Sequence, residues 1–404
     1  MRCVILVPKL RFKREDGTDY PEWEQTCVGK VFDKVKDKNK DCSNTNVITN
    51  SAEFGLISQR DFFDKDIAVE GKTDNYTIIK TNDFVYNPRK SSFAPFGAFN
   101  GYTLADDGIV SPLYFCLRMK NNKMSANFML WYFKSSRWHR FIYENGEQGG
   151  ARHDRVGISE EMVKGIPIDK PCLEEQQKIA AFLSAVDEVI AQSEAEVQNL
   201  EQQKKAAMQK IFSQEVRFKR EDGTEYPEWE EKAVIDVATL INGRAYKSEE
   251  FQKEGKYLIL RVGNLFTNDT VYYSNLELEA DKYIDEGDLI YAWSATFGAR
   301  IYHGEKCIYH YYIWKVVPHS IDKTYLLYAL NNDVQFISSE LNGGTMHHLT
   351  KSEMEQRILS VPCLEEQQKI ADFLSAYDEA ISYAKQELDK WKELKKGLLQ
   401  QMFV

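Results

Sequence analysis

The sequence predicts an α+β protein: two mixed α/β domains in tandem repeat, separated by two long helices that form an antiparallel coiled coil. Three observations carry this. PCLEEQQKIAAFLSAVDEVI at Pro171–Ile190 returns at Pro362–Ile381 with 17 of 20 positions identical and no gap. RFKREDGTDYPEWEQ at Arg11–Gln25 returns at Arg217–Glu231 with 13 of 15 identical. After each copy of the first motif, apolar residues recur at spacings of three and four to the end of the segment. Fixed-period self-similarity marks a repeat architecture. The chain therefore divides into a variable domain at 1–170, a helix at 171–216, a second variable domain at 217–361 and a second helix at 362–404.

At 404 residues, 43% hydrophobic and 13% aromatic, the chain can bury two cores. No stretch is long and apolar enough for a membrane span, and the Val4–Val7 run is too short for a secretory signal. The 7 cysteines are scattered without a CxxC, which argues against a disulfide framework and for a cytoplasmic location. Cys172 and Cys363, repeat partners at a helix start, read as small buried fillers. The net charge of −10 is uneven. Residues 1–170 hold 26 basic against 23 acidic side chains; residues 217–361 hold 16 against 23. Contact with nucleic acid would depend on local basic loops.

In Arg11–Gln25, Asp16-Gly17 marks a tight turn, and Tyr20 and Trp23 are the anchors onto a core. From Thr26 to Lys170, β-branched and aromatic runs predict strands at Tyr76–Lys80, Asp83–Tyr86 and Ile109–Leu117. The broad apolar face of Ser125–Arg140 predicts a helix. Lys34, Lys36, Lys38 and Lys40 alternate with aspartates. They read as a solvated loop or, alternatively, as phosphate contacts. The second variable region predicts strands at Tyr257–Val262, Asp288–Trp293 and Ile308–Val317, and a helix at Lys323–Glu340. Thr350 with Glu353 reads as a capping box. Two of its loops combine glycine, polar and aromatic residues: Asn242–Lys247 and Trp293–Gly298. Either they are ordinary turns, or their glycines let backbone approach a ligand while Arg, Ser and Thr donate to it.

The helices carry a seam of Ile179, Phe182, Leu183, Val186, Val189 and Ile190, continued by Val197, Leu200, Met208 and Ile211. Ile370, Phe373, Leu374, Tyr377 and Ile381 repeat it, followed by Leu388, Trp391, Leu394 and Leu398. These are coiled-coil spacings. Glutamates open each helix and lysines lie near each end, as the helix dipole favours. Forty residues at about 1.5 Å each make a rod near 60 Å.

Catalytic motifs are missing. Gly71-Lys72-Thr73 has Asp66 where a phosphate-binding loop needs its first glycine. Asn87-Pro88-Arg89-Lys90 departs from the Asn-Pro-Pro-aromatic motif of amino-methyltransferases at the second proline. His347-His348 reads as a surface turn rather than a metal site. No nucleophile–base set stands out, which favours a binding protein.

Two variable regions alternating with helices that open P-x-L-x-EQ-x-KI resemble the specificity subunits of type I restriction–modification systems. The likeness covers almost the whole chain. It is carried by Pro171–Ile179 and Pro362–Ile370, by DFVYNP at Asp83–Pro88, GIVSPLY at Gly108–Tyr114 and EGDLI at Glu286–Ile290. The resemblance implies two target-recognition domains, each reading half of a bipartite double-stranded DNA site. It also implies a coiled coil that sets the spacing and docks two methyltransferase subunits, with translocase–nuclease subunits joining them. This chain would hold no cofactor; S-adenosylmethionine would sit on the methyltransferase partners. Expected DNA contacts are Lys34, Lys36, Arg89 and Lys90 in the first domain. In the second they are Arg244, Tyr246, Lys247, Trp293, Ser294 and Thr296. Expected coiled-coil and partner positions are Ile179, Phe182, Val186, Leu200, Ile370, Phe373, Tyr377 and Leu394. Two other classes compete: the recognition end of a combined restriction–methylation enzyme, which would need a methyltransferase motif, and a coiled-coil adaptor whose variable domains bind proteins.

Overall fold

Each variable region is built on a four-stranded antiparallel sheet with the same strand order. In the first, Phe32–Lys34, Phe115–Met119, Phe84–Asn87 and Ala98–Gly101 lie side by side. In the second the series is Ala238–Asn242, Ile313–Pro318, Leu289–Ser294 and Thr296–Ile301. The computed structural model describes residues 8–62, 72–147, 154–266, 270–294, 296–340 and 349–403. It forms two units, Met1–Ser193 with Glu387–Val404, and Glu194–Gln386. His347-His348, Ala295 and Gly71 lie outside the described residues.

The DFVYNP and EGDLI stretches are the turn and start of the central strand. Asn82 and Gly287 take the left-handed conformation there, at φ 71° and 83°. One residue on, Asp83 accepts from the Lys80 amide and Asp288 from the Asp285 amide, each at 2.8 Å. The turn therefore delivers Phe84, Val85 and Tyr86, all fully buried, to the middle of the sheet. A two-strand clasp closes each region: Glu24–Cys27 with Pro167–Lys170, and Glu230–Ala233 with Ile358–Val361.

Three expected elements are each divided. Ile109–Leu117 is two strands, Gly108–Val110 and Phe115–Met119, in different sheets. Pro112 lacks the N–H a ladder needs, and a Ser111 turn intervenes. Ile308–Val317 is likewise Cys307–Tyr309 and Ile313–Pro318, separated by a turn closed from Ile313 N to His310 O. Ser125 caps a helix at Ala126–Lys134, but Ser135 ends it by donating to the Tyr132 carbonyl, and His139–Asn145 follows separately. The helix Lys323–Glu340 and the Thr350–Glu353 capping box stand as expected. The Lys34–Lys40 run is not an open loop: Lys34 ends a strand, Lys38 bridges to Thr77 and Asn39 is fully buried. Cys172 and Cys363 are half-buried rather than buried fillers.

The long helices are Leu173–Phe212 and Leu364–Met402. Both contribute to both units, and within each unit they run antiparallel. Asp187 meets Lys395 in the first; Glu201 meets Lys385 and Lys204 meets Asp378 in the second. Ile179, Leu183, Val186, Ile190 and Val197 are buried on one helix, and Ile370, Leu374, Ile381 and Leu388 on the other. Leu200 and Tyr377 are half-buried. Phe182, Phe373 and Leu394 correct the expected seam, for they are 37%, 39% and 48% exposed. Phe182 and Phe373 flank the stripe and sit edge-on against Phe12 and Phe218, at 5.5 and 5.6 Å. The first turns of each helix belong to a domain core. In the second unit Ile370, Ala371 and Leu374 pack with Val234, Leu240, Tyr325 and Ile211.

Candidate nucleic-acid interface

The two glycine-containing loops of the second domain are brought together on a segment the sequence reading missed, His310-Tyr311-Tyr312. The Arg244 amide donates to Tyr309 O and the Tyr311 amide to Arg244 O, both at 3.0 Å. Trp293 donates from its amide to Tyr312 O at 3.1 Å and from Nε1 to Tyr311 O at 2.8 Å. Gly243 makes this possible, because a Cβ there would stand 2.4 Å from the His310 carbonyl oxygen. Tyr246 stacks on His310 at 6.3 Å, Tyr311 meets Tyr312 at 4.0 Å and Trp293 stacks on Trp314 at 5.5 Å. A cleft of about 390 Å³ opens among Asn242, Trp293, Tyr311, Tyr312 and Thr350. Burial, aided by Arg261, lowers the His310 pKa, so the ring is neutral at pH 7. Aromatic edges with few fixed charges suit stacking and base-edge contact.

Within this cluster the expected residues separate by role. Glu250 takes the Arg244 guanidinium in two hydrogen bonds of 3.0 and 2.7 Å. Arg244 thus fixes the loop, and its terminal nitrogens are already engaged. Ser294 is buried, at 6% exposure. Lys247 and Thr296 are exposed, and Tyr246 and Trp293 are half-buried.

In the first domain Arg89 is exposed, with its Nε 3.5 Å from Asp154, and the Lys90 amide donates to Asp154 O at 2.8 Å. Lys34 belongs to a different ion pair, 2.6 Å from Glu160, whose pKa Lys164 and Lys34 together hold down to about 2. Lys36 is exposed. A periodicity reading finds lysine runs, but not which carboxylate folds back onto them.

The repeated motifs build a second kind of site twice. Glu175, fully buried, accepts from Arg11 Nη2 at 2.8 Å and Trp23 Nε1 at 3.0 Å; Glu366 takes Arg217 and Trp229 at 2.9 and 3.0 Å. Gln176 accepts from the Ser125 amide and donates to Pro171 O; Gln367 does the same for Asp322 and Pro362. These buried pairs explain part of the repeat identity by folding alone. Other repeated residues face outward. Arg14, Glu15, Glu174 and Gln177 are exposed around one groove, Arg220, Glu221, Glu365 and Gln368 around the other.

Residues 20–202 and 226–392 match the family described as the type I restriction modification DNA specificity domain. The chain belongs to this family. The MjaVIII specificity subunit of Methanocaldococcus jannaschii is 23% identical over 414 residues, covering 96% of this chain and 94% of that protein. The putative MjaX specificity subunit of the same organism is 27% identical over 303 residues, 70% and 68% of the two chains. The S subunit from M. genitalium superposes with a TM-score of 0.55 at 16% identity over 99% of both chains. A chain from a type I restriction–modification assembly does so with a TM-score of 0.59 at 17% identity over 95% and 98%. At such identities these structures establish the shared fold. As a specificity subunit, this chain is a tandem of two target-recognition domains with a coiled coil. Among its described residues no helix is long and apolar enough to cross a membrane.

Proposed function

We propose that this specificity subunit is the non-catalytic DNA reader of a type I restriction–modification complex. Each variable domain reads one half of a bipartite, asymmetric double-stranded site. The coiled coil sets the half-site spacing and docks two methyltransferase subunits, which carry the S-adenosylmethionine chemistry; translocase–nuclease subunits complete the assembly. One observation supports this above the rest. The two domains share a strand order but differ in their loops, while the grooves at the helix starts share their exposed side chains. Different loops suit different DNA sequences. Matching exposed side chains, retained where burial does not require them, suit two copies of one partner.

The test is co-expression with the methyltransferase followed by native mass measurement and a gel shift on DNA carrying the host's methylated site. Two methyltransferases per chain and site-specific retardation are expected. One methyltransferase per chain would refute twin docking. Binding to protein alone, without any DNA shift, would favour an adaptor.

A further inference from the structure

Arg89 and Arg155 face each other across an antiparallel bridge in the first domain. The flanking bonds run from the Lys90 amide to Asp154 O at 2.8 Å and from the Val156 amide to Pro88 O at 2.9 Å. Side chains directly opposite in such a pair start about 4.5–5.5 Å apart at Cβ, and like charges placed so repel. Asp154 compensates in part, 3.5 Å from Arg89 Nε, but it is itself half-exposed. Arg155 Nε is buried and has no hydrogen-bond partner. Both guanidiniums also lie near the Tyr114 hydroxyl, where their charge opposes the rise that burial imposes on its pKa. Other arginines of this unit are treated differently. Arg118 and Arg137 rest on carboxylates at 2.7 and 2.5 Å, and Arg11 on Glu175 at 2.8 Å. Folding gains little from two like charges placed opposite each other with one partly exposed aspartate beside Arg89.

We infer that Arg89 and Arg155 form a single clamp for one backbone phosphate of the DNA bound by the first domain. This rests on the DNA-reading function proposed above. A phosphate supplies the full negative charge that relieves the repulsion, and two guanidiniums match its oxygens in a fork. A guanine edge offers two acceptors but no net charge, so it would relieve less. Arg155 is the residue that sequence alone could not find, since only the bridge places it opposite Arg89.

The experiment uses the full chain in complex with its methyltransferase, comparing Arg155→Gln, Arg89→Gln and the double variant on cognate and scrambled duplexes across a salt series. Each single variant should weaken binding to both duplexes by the same factor. Each should also lower the magnitude of the log–log salt slope, by less than 1, since the other arginine still meets the phosphate. The double variant should lower it by about 1, because both side chains hold one phosphate. The set of methylated sites should not change, and Arg155→Lys should restore most of the slope. An unchanged slope in the double variant overturns the clamp. So does a loss confined to one base pair, which would mean guanine reading. A drop of about 2 in the double variant refutes a shared phosphate. If the unaltered complex binds no DNA, the DNA-reading function fails as well; if it binds and the variants match it, only the clamp fails. Should Arg155→Gln not fold, Arg155→Met, which keeps an unbranched apolar stem without the charge, takes its place.

Discussion

Lys395 Nζ lies 2.5 Å from Asp187 Oδ1, tying the last third of the second long helix to the first. Its repeat counterpart, Lys204, lies 2.5 Å from Asp378. In each unit the aspartate comes from the helix that follows the domain and the lysine from the other helix. The surroundings exchange in the same way. Lys395 sits over Trp131 at 5.3 Å and Lys204 over Tyr328 at 4.9 Å. Phe403 packs against Phe128 at 5.6 Å and Phe212 against Tyr325 at 5.8 Å. Residue i of one repeat meets j of the other, and j meets i, the pattern of an isologous interface built within one chain.

These lysine–aspartate pairs are partly exposed, so each contributes about 0.5–1 kcal/mol. Asp187→Lys should therefore destabilise the chain by about 1 kcal/mol or more, through lost attraction to and repulsion from Lys395 and Lys134, the latter 3.5 Å from Asp187. Combining it with Lys395→Asp should restore part of the loss, since Lys134 still faces the introduced lysine. Urea denaturation of the two singles and the swap measures this; a swap no better than the worse single would show that the pair carries no coupling.

The buried carboxylates should matter more. Glu175→Ala leaves the Trp23 N–H without its acceptor and the Arg11 guanidinium with only the Tyr20 and Pro21 carbonyls. Removing one partner of a buried pair costs about 3–5 kcal/mol, and the low end applies because Arg11 keeps a fifth of its surface in solvent. Glu366→Ala should behave alike, since Arg217 and Trp229 repeat the arrangement. Equal losses for the two variants, read by thermal melting, are the expected outcome; a loss below 1 kcal/mol in either would mean that water replaces the acceptor.

Long periodic signals were the legible part of this molecule. Seventeen identities and a three–four spacing announced two helices, and each begins two residues into the repeat, the first ending at Phe212 and the second at Met402. Shorter apolar runs were not legible in detail. Ile109–Leu117 looks like one strand, because burial on both faces erases the alternation that would show where one sheet ends. Phe182 belongs to the apolar stripe by spacing alone, and only the fold reveals that Phe12 returns to cover its flank. At the candidate DNA surface, residue type suggested Arg244, yet its charge is spent on Glu250 six residues away. Nothing in composition separates an arginine that meets a carboxylate from one that does not.

Burial lowers the pKa of His139 in the first domain and of His310 in the second. Each ring is neutral when folded at pH 7. As pH falls below about 6.5 the unfolded chain takes up these protons and the folded chain does not, so stability is present above that pH and drains away beneath it. The melting temperature should decline from pH 7.5 to 5.5, and His139→Phe with His310→Phe should flatten the decline. A decline of the same steepness in the double variant would assign it to carboxylates instead.

Specificity should be modular. The central sheet of the second domain, its aromatic cluster around Tyr311 and its clasp all form within residues 230–361. Its attachment to the helices combines the apolar packing of Ile211, Ile370, Ala371 and Leu374 on its core with Arg217 and Trp229 to Glu366, Gln367 to the Asp322 amide, and Phe212 against Tyr325. Most of these come from the repeated segments. Replacing residues 232–361 with the matching region of another family member keeps the repeated side of the attachment. The chimera should alter one half-site of the methylated sequence and preserve the other half-site and the spacer. Within the original domain, Lys247→Gln should weaken binding uniformly and lower the salt slope by about 1 if the lysine meets phosphate. Thr296→Val should instead cost about 1–3 kcal/mol at one base position if its hydroxyl reads an edge. Methylation mapping of the chimera decides the larger point. If both half-sites or the spacer move, the domains do not read independently on a fixed coiled coil, and the bipartite mechanism is wrong.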